Sequence, residues 1–380
     1  MGLSRERFGQ PILNLQYIYA YTSNDTNAKS VKLTISITGG ATISTFINDP
    51  EVGTTNIFRF EVTKVISNYL VNEFPNLLNL LNAASTPEYL DSKRFTISAI
   101  ELDANSAEIG SAIDYTETFY PYNFFRGQLI SEFNPNSSGS TAIKFLTNAP
   151  NLRRVKYGDF LWLYGNNASY NTGTPLQEWV FQELDASNNI IRNTAIDYEN
   201  PTLAGSVKEG AVGMPVFFFL EASVAILIFV RDKASPFTVR SEVKRYNKYT
   251  KDCGDYRLFW LNQYNATESI YLTGNKQRQI ENNKQTFTQS EPVNANYNEG
   301  GIKSYANNFR YSYTLNTGRA TPQEIKYFSE ILYSRKTALL VDGVLIEVVL
   351  TDSDLRDFDE KDSVDNITFN FTEARQNTFL

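Results

Sequence analysis

Lys248 to Asn275, KYTKDCGDYRLFWLNQYNATESIYLTGN, holds the chain's single cysteine, Cys253, with Lys251, Asp252, Asp255 and one of three tryptophans, Trp260. A cysteine beside a lysine is how a thiolate nucleophile can be made, because the anion attacks and a nearby positive charge stabilises it. Here Asp252 and Asp255 oppose Lys251, and none of the 380 residues is histidine. Cys253 therefore reads as a structural thiol. The missing imidazole also removes the usual general acid and base near neutral pH, together with His-containing triads and His-ligated metals. One cysteine and no histidine exclude the common zinc sites as well. Carboxylate, lysine or tyrosine chemistry and oxygen-ligand metals are what remain. The sequence assigns no catalytic, cofactor-binding or metal residue, and the chain reads as a protein that is not an enzyme and needs no cofactor.

Four further patterns invite chemistry. The acidic stretch TDSDLRDFDEKDSVD suggests calcium, but counted from Asp352 an EF-hand loop needs glycine where Asp357 stands, so a solvated loop is expected. LTGNKQRQIENNKQ brings Gly274, Lys276 and Arg278 together, yet lacks the earlier glycine of a phosphate loop and reads as a polar turn. SEVKRYNKYTKD interleaves Lys244, Arg245, Lys248 and Lys251 with Tyr246 and Tyr249, a pattern that can hold single-stranded nucleic acid. Along a strand it is simply one charged and one mixed face. Finally, Trp162, Trp179 and Trp260 could stack on sugars if exposed, but each sits inside a strand pattern that predicts burial. A two-carboxylate glycosidase would need a separation that sequence does not supply.

The elements that position these residues are β-strands. Aromatic residues make up 14% of the chain, with 26 Phe and 23 Tyr, and β-branched residues recur between Asn, Gly, Ser and Thr clusters. The expectation is a mainly β protein of two or three sandwich-like domains with a few short helices: 1–125, 126–240 and 241–380. A formal charge of −7 gives no global attraction to nucleic acid or an anionic membrane. The opening MGLSRERFGQ lacks the apolar core of a signal peptide, and Glu6 stands where myristoylation wants Ser or Thr. No membrane anchor is therefore expected. PVFFFLEASVAILIFV, Pro215 to Val230, is short for a bilayer span and contains Glu221, so buried strands are the expectation.

Strand alternation is plain at Val31, Leu33, Ile35 and Ile37, at Phe58 and Phe60, and at Phe95, Ile97 and Ala99. FLWLYG is apolar on both faces, and QEWVFQELD and NNIIRNTAIDY follow as strands. TKVISNYLVNEFPNLLNLLN has helical spacing on both sides of Pro75. A capped helix is predicted over 321–334, with Thr321 as N-cap, Pro322 at the first position and Glu324 completing a capping box. TALLVDGVLIEVVLTD reads as a hairpin turning at Asp342-Gly343, and YRLFWLN and SIYLTGN as strands joined through QYNATE.

The ordered motifs TNIFRFEVTKVISNYL, IKFLTNAPNLRRVKYGDFLWLYG, KYTKDCGDYRLFWLNQYNATESIYLTG and TPQEIKYFSEILYS, then LIEVVLTDSD and ITFNFTEA, carry a resemblance. The chain from about residue 25 onward resembles structural tail (ring or hub) proteins of tailed phages and prophages of Bacteroidota, including crAss-like short-tailed phages. It departs from that pattern after Trp260-Leu261-Asn262, where Tyr264-Asn265-Ala266 replaces a glycine-rich turn. The resemblance implies a virion component made in the host cytoplasm. It would be a homo-oligomeric ring below the portal, contacting other tail and portal proteins, around a channel through which genomic DNA passes without specific binding. The rival reading is a tail-tip module that recognises a host-surface glycan or receptor.

Overall fold

The computed structural model describes residues 2–6, 18–25, 27–51, 56–70, 88–91, 93–119, 145, 147, 149–150, 153–156, 160–166, 177–197, 210–217, 220–233, 235–249, 256–288, 302–353, 366–375 and 377–379. It is mostly β, with short helices. Outside these residues fall Cys253 and Lys251, the helical spacing after Leu70, and most of the acidic stretch that follows Ser353.

The first strands are β1 (Gly2–Glu6), β2 (Ile18–Thr22), β3 (Ser30–Ile37), β4 (Thr42–Asn48) and β5 (Ile57–Glu61); after helix α1 (Thr63–Leu70) come β6 (Glu88–Asp91), β7 (Lys93–Leu102) and β8 (Glu108–Phe119). Two sheets, ordered β1-β2-β5 and β4-β3-β7-β8, enclose one core. Leu33, Ile35 and Ile37 stand opposite Ala99, Ile97 and Phe95 within the second sheet, with Val31 in the same core, while Tyr19, Tyr21, Phe58 and Phe60 close the core from the first. The expected alternation is therefore realised, and each fully buried aliphatic side chain contributes about 1.5–3 kcal/mol. Val62, Ile66 and Leu70 place α1 on the same core.

The next strands are β9 (Arg153–Lys156), β10 (Phe160–Asn166), β11 (Gln177–Leu184), β12 (Ile190–Asp197), β13 (Gly210–Phe217), β14 (Ala225–Asp232) and β15 (Lys244–Tyr249). A sheet ordered β10-β13-β6 faces one ordered β12-β11-β14-β15-β9. Leu161, Leu163 and Val216 of the former pack with Trp179, Phe181, Ile226, Ile228, Val230 and Tyr246 of the latter. The apolar run from Pro215 to Val230 thus divides between two facing sheets, crossing at Leu220–Val224, which is why it is apolar throughout without spanning anything. Leu161 to Tyr164 are all buried, as double-sided apolarity requires. Among the described residues no helix is long and apolar enough to cross a membrane.

The remaining strands are β16 (Arg257–Leu261), β17 (Thr267–Tyr271), β18 (Lys276–Thr288) and β19 (Ile302–Asn316); helices α2 (Pro322–Phe328) and α3 (Glu330–Tyr333) follow, then β20 (Thr337–Val341), β21 (Val344–Ser353), β22 (Thr368–Glu373) and β23 (Asn377–Phe379). They form one large sheet, β17-β16-β20-β21-β22-β19-β18, with β23 also paired to β19. Ile325, Tyr327, Phe328 and Ile331 lay the helices on the core formed by Leu258, Trp260, Leu339, Val348, Phe369 and Phe371.

Two expectations are corrected here. The helix over 321–334 breaks at Ser329, although its capping box forms as read, with Glu324 N–H donating to Thr321 Oγ1 and Thr321 N–H to Glu324 Oε2. The Ser329 hydroxyl donates to the Lys326 carbonyl at 2.7 Å and competes with the helical ladder, so the last turn is separate. The polar turn expected at LTGNKQRQIENNKQ ends at Asn275, and Lys276 begins a 13-residue edge strand. Its polar sequence suits an edge, where charge discourages unwanted pairing.

One turn recurs three times. In Asp103–Ala107, Asp185–Asn189 and Asn262–Ala266 the first residue's N–H donates to the fifth residue's carbonyl, and the fourth residue's N–H to the first's carbonyl. The first side chain accepts the N–H groups of the third and fifth residues. The fourth residues, Ser106, Asn188 and Asn265, have φ of 63, 62 and 62°. That left-handed conformation favours glycine, and Asn tolerates it better than most other residues. Each turn joins an inner strand to an edge strand in the units β4-β3-β7-β8, β12-β11-β14-β15 and β17-β16-β20-β21. Asn262 is buried and also donates to Glu268 Oε1. Replacing Asn262 by Ala strips two backbone amides and one carboxylate oxygen of a partner, so unfolding by denaturant is expected to show a loss of about 1–3 kcal/mol.

Candidate functional site

Hairpin β16–β17 carries the residues that first suggested chemistry, and the geometry closes it on both faces. All five residues of β16 are buried. Leu258 and Trp260 point to the core under α2, while Arg257 and Phe259 point to the opposite face. Trp260, 0% exposed, packs against Tyr327 with ring centroids 5.3 Å apart. Opposite Trp260 in the register, Glu268 accepts the Tyr327 hydroxyl at 2.7 Å and the Asn262 amide at 3.3 Å. Both carboxylate oxygens are thus engaged from within the fold. On the other face Arg257 is 2% exposed. Its Nε and terminal nitrogen donate to Ser269 Oγ at 3.1 and 2.8 Å, and its guanidinium lies 4.7 and 5.4 Å from the Phe259 and Tyr271 rings.

The hairpin also fastens distant parts of the chain. At its turn the Asn265 side-chain amide donates at 2.5 Å to the carbonyl of Leu70, the last residue of α1. The last carbonyls of a helix have no partner within it, so this bond satisfies a helix end across 195 positions of sequence. Asn265 stands where the resemblance expects a glycine-rich turn, and its positive φ shows why glycine would also fit. The side chain adds a contact that glycine lacks.

The other residues singled out by sequence are dispersed. Trp162 and Trp179 are 5% and 0% exposed, so neither of them, nor Trp260, presents a ring for a sugar. The basic patch at 244–248 is consumed internally. Lys244 pairs with Glu242 at 3.3 Å, Arg245 donates to Asn188 at 2.8 Å, Lys248 donates to the Glu221 carbonyl, and Tyr246 lies in the central core. Gly274 sits against the Asn316 side chain, where a Cβ would collide, so its role is a close approach between turn and strand. Among the described residues no group of three or more His, Cys, Asp or Glu could hold a metal ion.

Sequence reasoning missed four tyrosine–glutamate pairs. Tyr19 donates to Glu117, Tyr21 to Glu101, Tyr313 to Glu373 and Tyr327 to Glu268, at 2.7, 2.9, 3.1 and 2.7 Å. Their partners lie far apart in the chain, and the one local hint is that Glu101, Glu268 and Glu373 occur in otherwise strand-like runs. Burial, reinforced by the hydrogen bond to Glu101, pushes the Tyr21 phenol well above its ordinary range. Burial and the charge of Glu373 do the same to Tyr313.

Protein-family models and curated protein sequences contain no match to the chain. The geometry nonetheless says what the site does chemically: it satisfies buried polar groups and joins elements.

The raised tyrosines set a pH dependence. The fold favours the neutral phenol, so this contribution is fully present below the unfolded tyrosine pKa of about 10 and is lost as pH rises above it. Denaturant midpoints measured against pH should hold steady toward pH ~10 and fall beyond it. The fall should be shallower in a Tyr21→Phe, Tyr313→Phe variant.

Proposed function

We propose that this protein is a structural subunit of a phage tail, a ring or hub component that oligomerises below the portal and helps form the path for DNA ejection. The observation that carries this reading is that the tryptophans, the buried acids and the buried arginine that first suggest chemistry are spent on cohesion. Trp260 and Glu268 are buried at one strand–helix junction, Arg257 is buried on the opposite face of the same hairpin, and Trp162 and Trp179 lie within the central strands. The order of motifs from TNIFRFEV to ITFNFTEA supports the same reading, since it resembles tail ring and hub proteins.

The surface supports assembly as well. Several exposed apolar side chains lie at sheet margins and tips: Ile190 and Ile191 at the start of edge strand β12, Val224 beside them, Phe237 and Val239 at the turn after β14, and Ile47 on edge strand β4. Val224 N–H donates to the Leu184 carbonyl, and Leu184 is opposite Ile190, which brings Val224, Ile190 and Ile191 to one end of the central sheet. Such patches rimmed by polar groups mark protein contacts. The proposed partners are further copies of the chain, with other tail and portal proteins around them, in the virion.

Mass photometry of the purified chain, alone and mixed with portal protein, tests the reading. A discrete multiple of 43.1 kDa is expected, either spontaneously or on the portal. A persistent monomer that binds a host glycan would sink it and favour the tail-tip module.

A further inference from the structure

The sequence placed its strongest basic patch at 244–251, and its described cations turn out to be engaged within the fold. A different row of cations is left facing outward, on β18. Lys276 pairs in register with Leu315 and Arg278 with Tyr313, and both partners belong to the core face of the large sheet. Lys276 Nζ lies 5.5 Å from the centre of the Tyr256 ring. The exposed guanidinium of Arg278 lies 3.8 Å from the centre of the Tyr311 ring and 5.7 Å from that of Tyr313.

Nearby carboxylates are committed elsewhere. Glu373 accepts the Tyr313 hydroxyl and the Tyr311 N–H, and Glu281 pairs with Arg310 at 2.7 Å. Among the described residues neither Lys276 nor Arg278 has an ion-pair partner, and Arg319, exposed in the loop after β19, adds a third such cation. Gly318, just before Arg319, packs against Thr273, so this loop adjoins the start of β18.

We infer that Lys276 and Arg278, seated on Tyr256 and Tyr311, form a contact strip for the phosphate backbone of nucleic acid. A guanidinium stacked on a ring keeps its in-plane N–H donors free, and two such donors match a phosphate. The rings act as pedestals: Arg278 already covers one face of Tyr311, so bases do not stack there and the contact is independent of sequence. Two cations at alternate positions of a strand project from the same face about 7 Å from each other, a linear array suited to a linear polyanion. A protein partner would need an apolar centre to its interface, and on the described surface of β18 Ile280 alone is apolar, among Lys276, Gln277, Arg278, Gln279 and Glu281. In a chain of net charge −7 this strip is a local exception, so the contact is weak and strongly dependent on salt.

The inference stands apart from ring formation, and its test reads a different quantity. Fluorescence anisotropy would follow the full chain binding a labelled oligothymidylate strand and a labelled duplex across a salt series. The expected result is binding to both at low salt, weakened roughly tenfold or more in the Lys276→Gln, Arg278→Gln variant. The slope of log affinity against log salt on duplex should fall by about 1.8, close to 0.9 for each phosphate that the variant no longer neutralises. Arg278 is exposed and Lys276 half-buried, and far-UV circular dichroism with mass photometry should show fold and assembly unchanged. A Lys29→Gln, Arg94→Gln variant, altered at exposed cations of the first sandwich, should bind as the parent does. No binding at low salt, or equal binding by the β18 variant, overturns the inference. So does tighter binding of polyglutamate than of either DNA, which would make the strip a site for an acidic protein.

Discussion

The first sandwich and the large sheet depend on hiding tyrosine without stranding its hydroxyl. A chain with 23 Tyr has too many rings to leave in water and too many phenols to bury unpaired. An unsatisfied buried hydroxyl costs about 1–3 kcal/mol, comparable to the gain from burying an aliphatic side chain. Four pairs show the solution, a glutamate placed at the hydroxyl from a different element. Tyr21 of β2 reaches Glu101 of β7, and Tyr19 reaches Glu117 of β8, so these bonds run between the two layers of the first sandwich. In the large sheet Tyr313 and Glu373 tie adjacent strands, and Tyr327 and Glu268 tie α2 to β17. Each acid that could have been a proton shuttle is thereby made a fastener.

The repeated turn meets a related demand. A hairpin that leaves the sheet through five residues must satisfy several amides at once, and a side-chain oxygen at the first position takes two of them. Asp serves where the turn is exposed, at Asp103 and Asp185. For Asp185 the donated hydrogen bonds, chiefly from Asn189, hold the carboxyl below its usual range. At the buried third turn the residue is Asn262, and there the difference matters. Its amide donates to Glu268, and a carboxylate in its place would set two negative charges together where little water is present to screen them.

Strand alternation at 31–37 and 93–102, the Asp342-Gly343 turn with φ of 51 and 77°, and the capping box at Thr321 were all legible, because each is encoded within a few residues. Strand β18 was not, since an edge strand wet on most sides has no apolar period to read, and KQRQIENNKQTFT looks like a loop. The tyrosine–glutamate pairs were hidden for another reason: their members are separated by 59 to 98 residues, so no window contains both. Glu-Leu-Asp-Ala occurs at both 101–104 and 183–186, at two of the three turns, but four shared residues are too few to stand out in a chain of 380. At the β16–β17 hairpin the pairing of the two strands could be read, but not its bounds, since the second strand runs Thr267–Tyr271 and Thr267 and Glu268 of the expected QYNATE connection lie within it; the burial of Arg257 could not be read either. Its partner Ser269 and its two ring contacts become neighbours only after the strands align.

The two basic stretches show why composition misleads about surfaces. SEVKRYNKY has the higher density of cations with aromatics, yet it runs through an interior strand, β15, flanked by β14 and β9. An interior strand has other elements on both sides, so its cations find partners inside the fold, as Arg245 does with Asn188 and Lys248 with the Glu221 carbonyl. NKQRQ has fewer charges but occupies an edge with one neighbour, and among the described residues its cations meet tyrosine faces, which attract a cation without neutralising it. Position in the sheet, more than the count of lysines and arginines, therefore decides which positive charge remains for another molecule to meet.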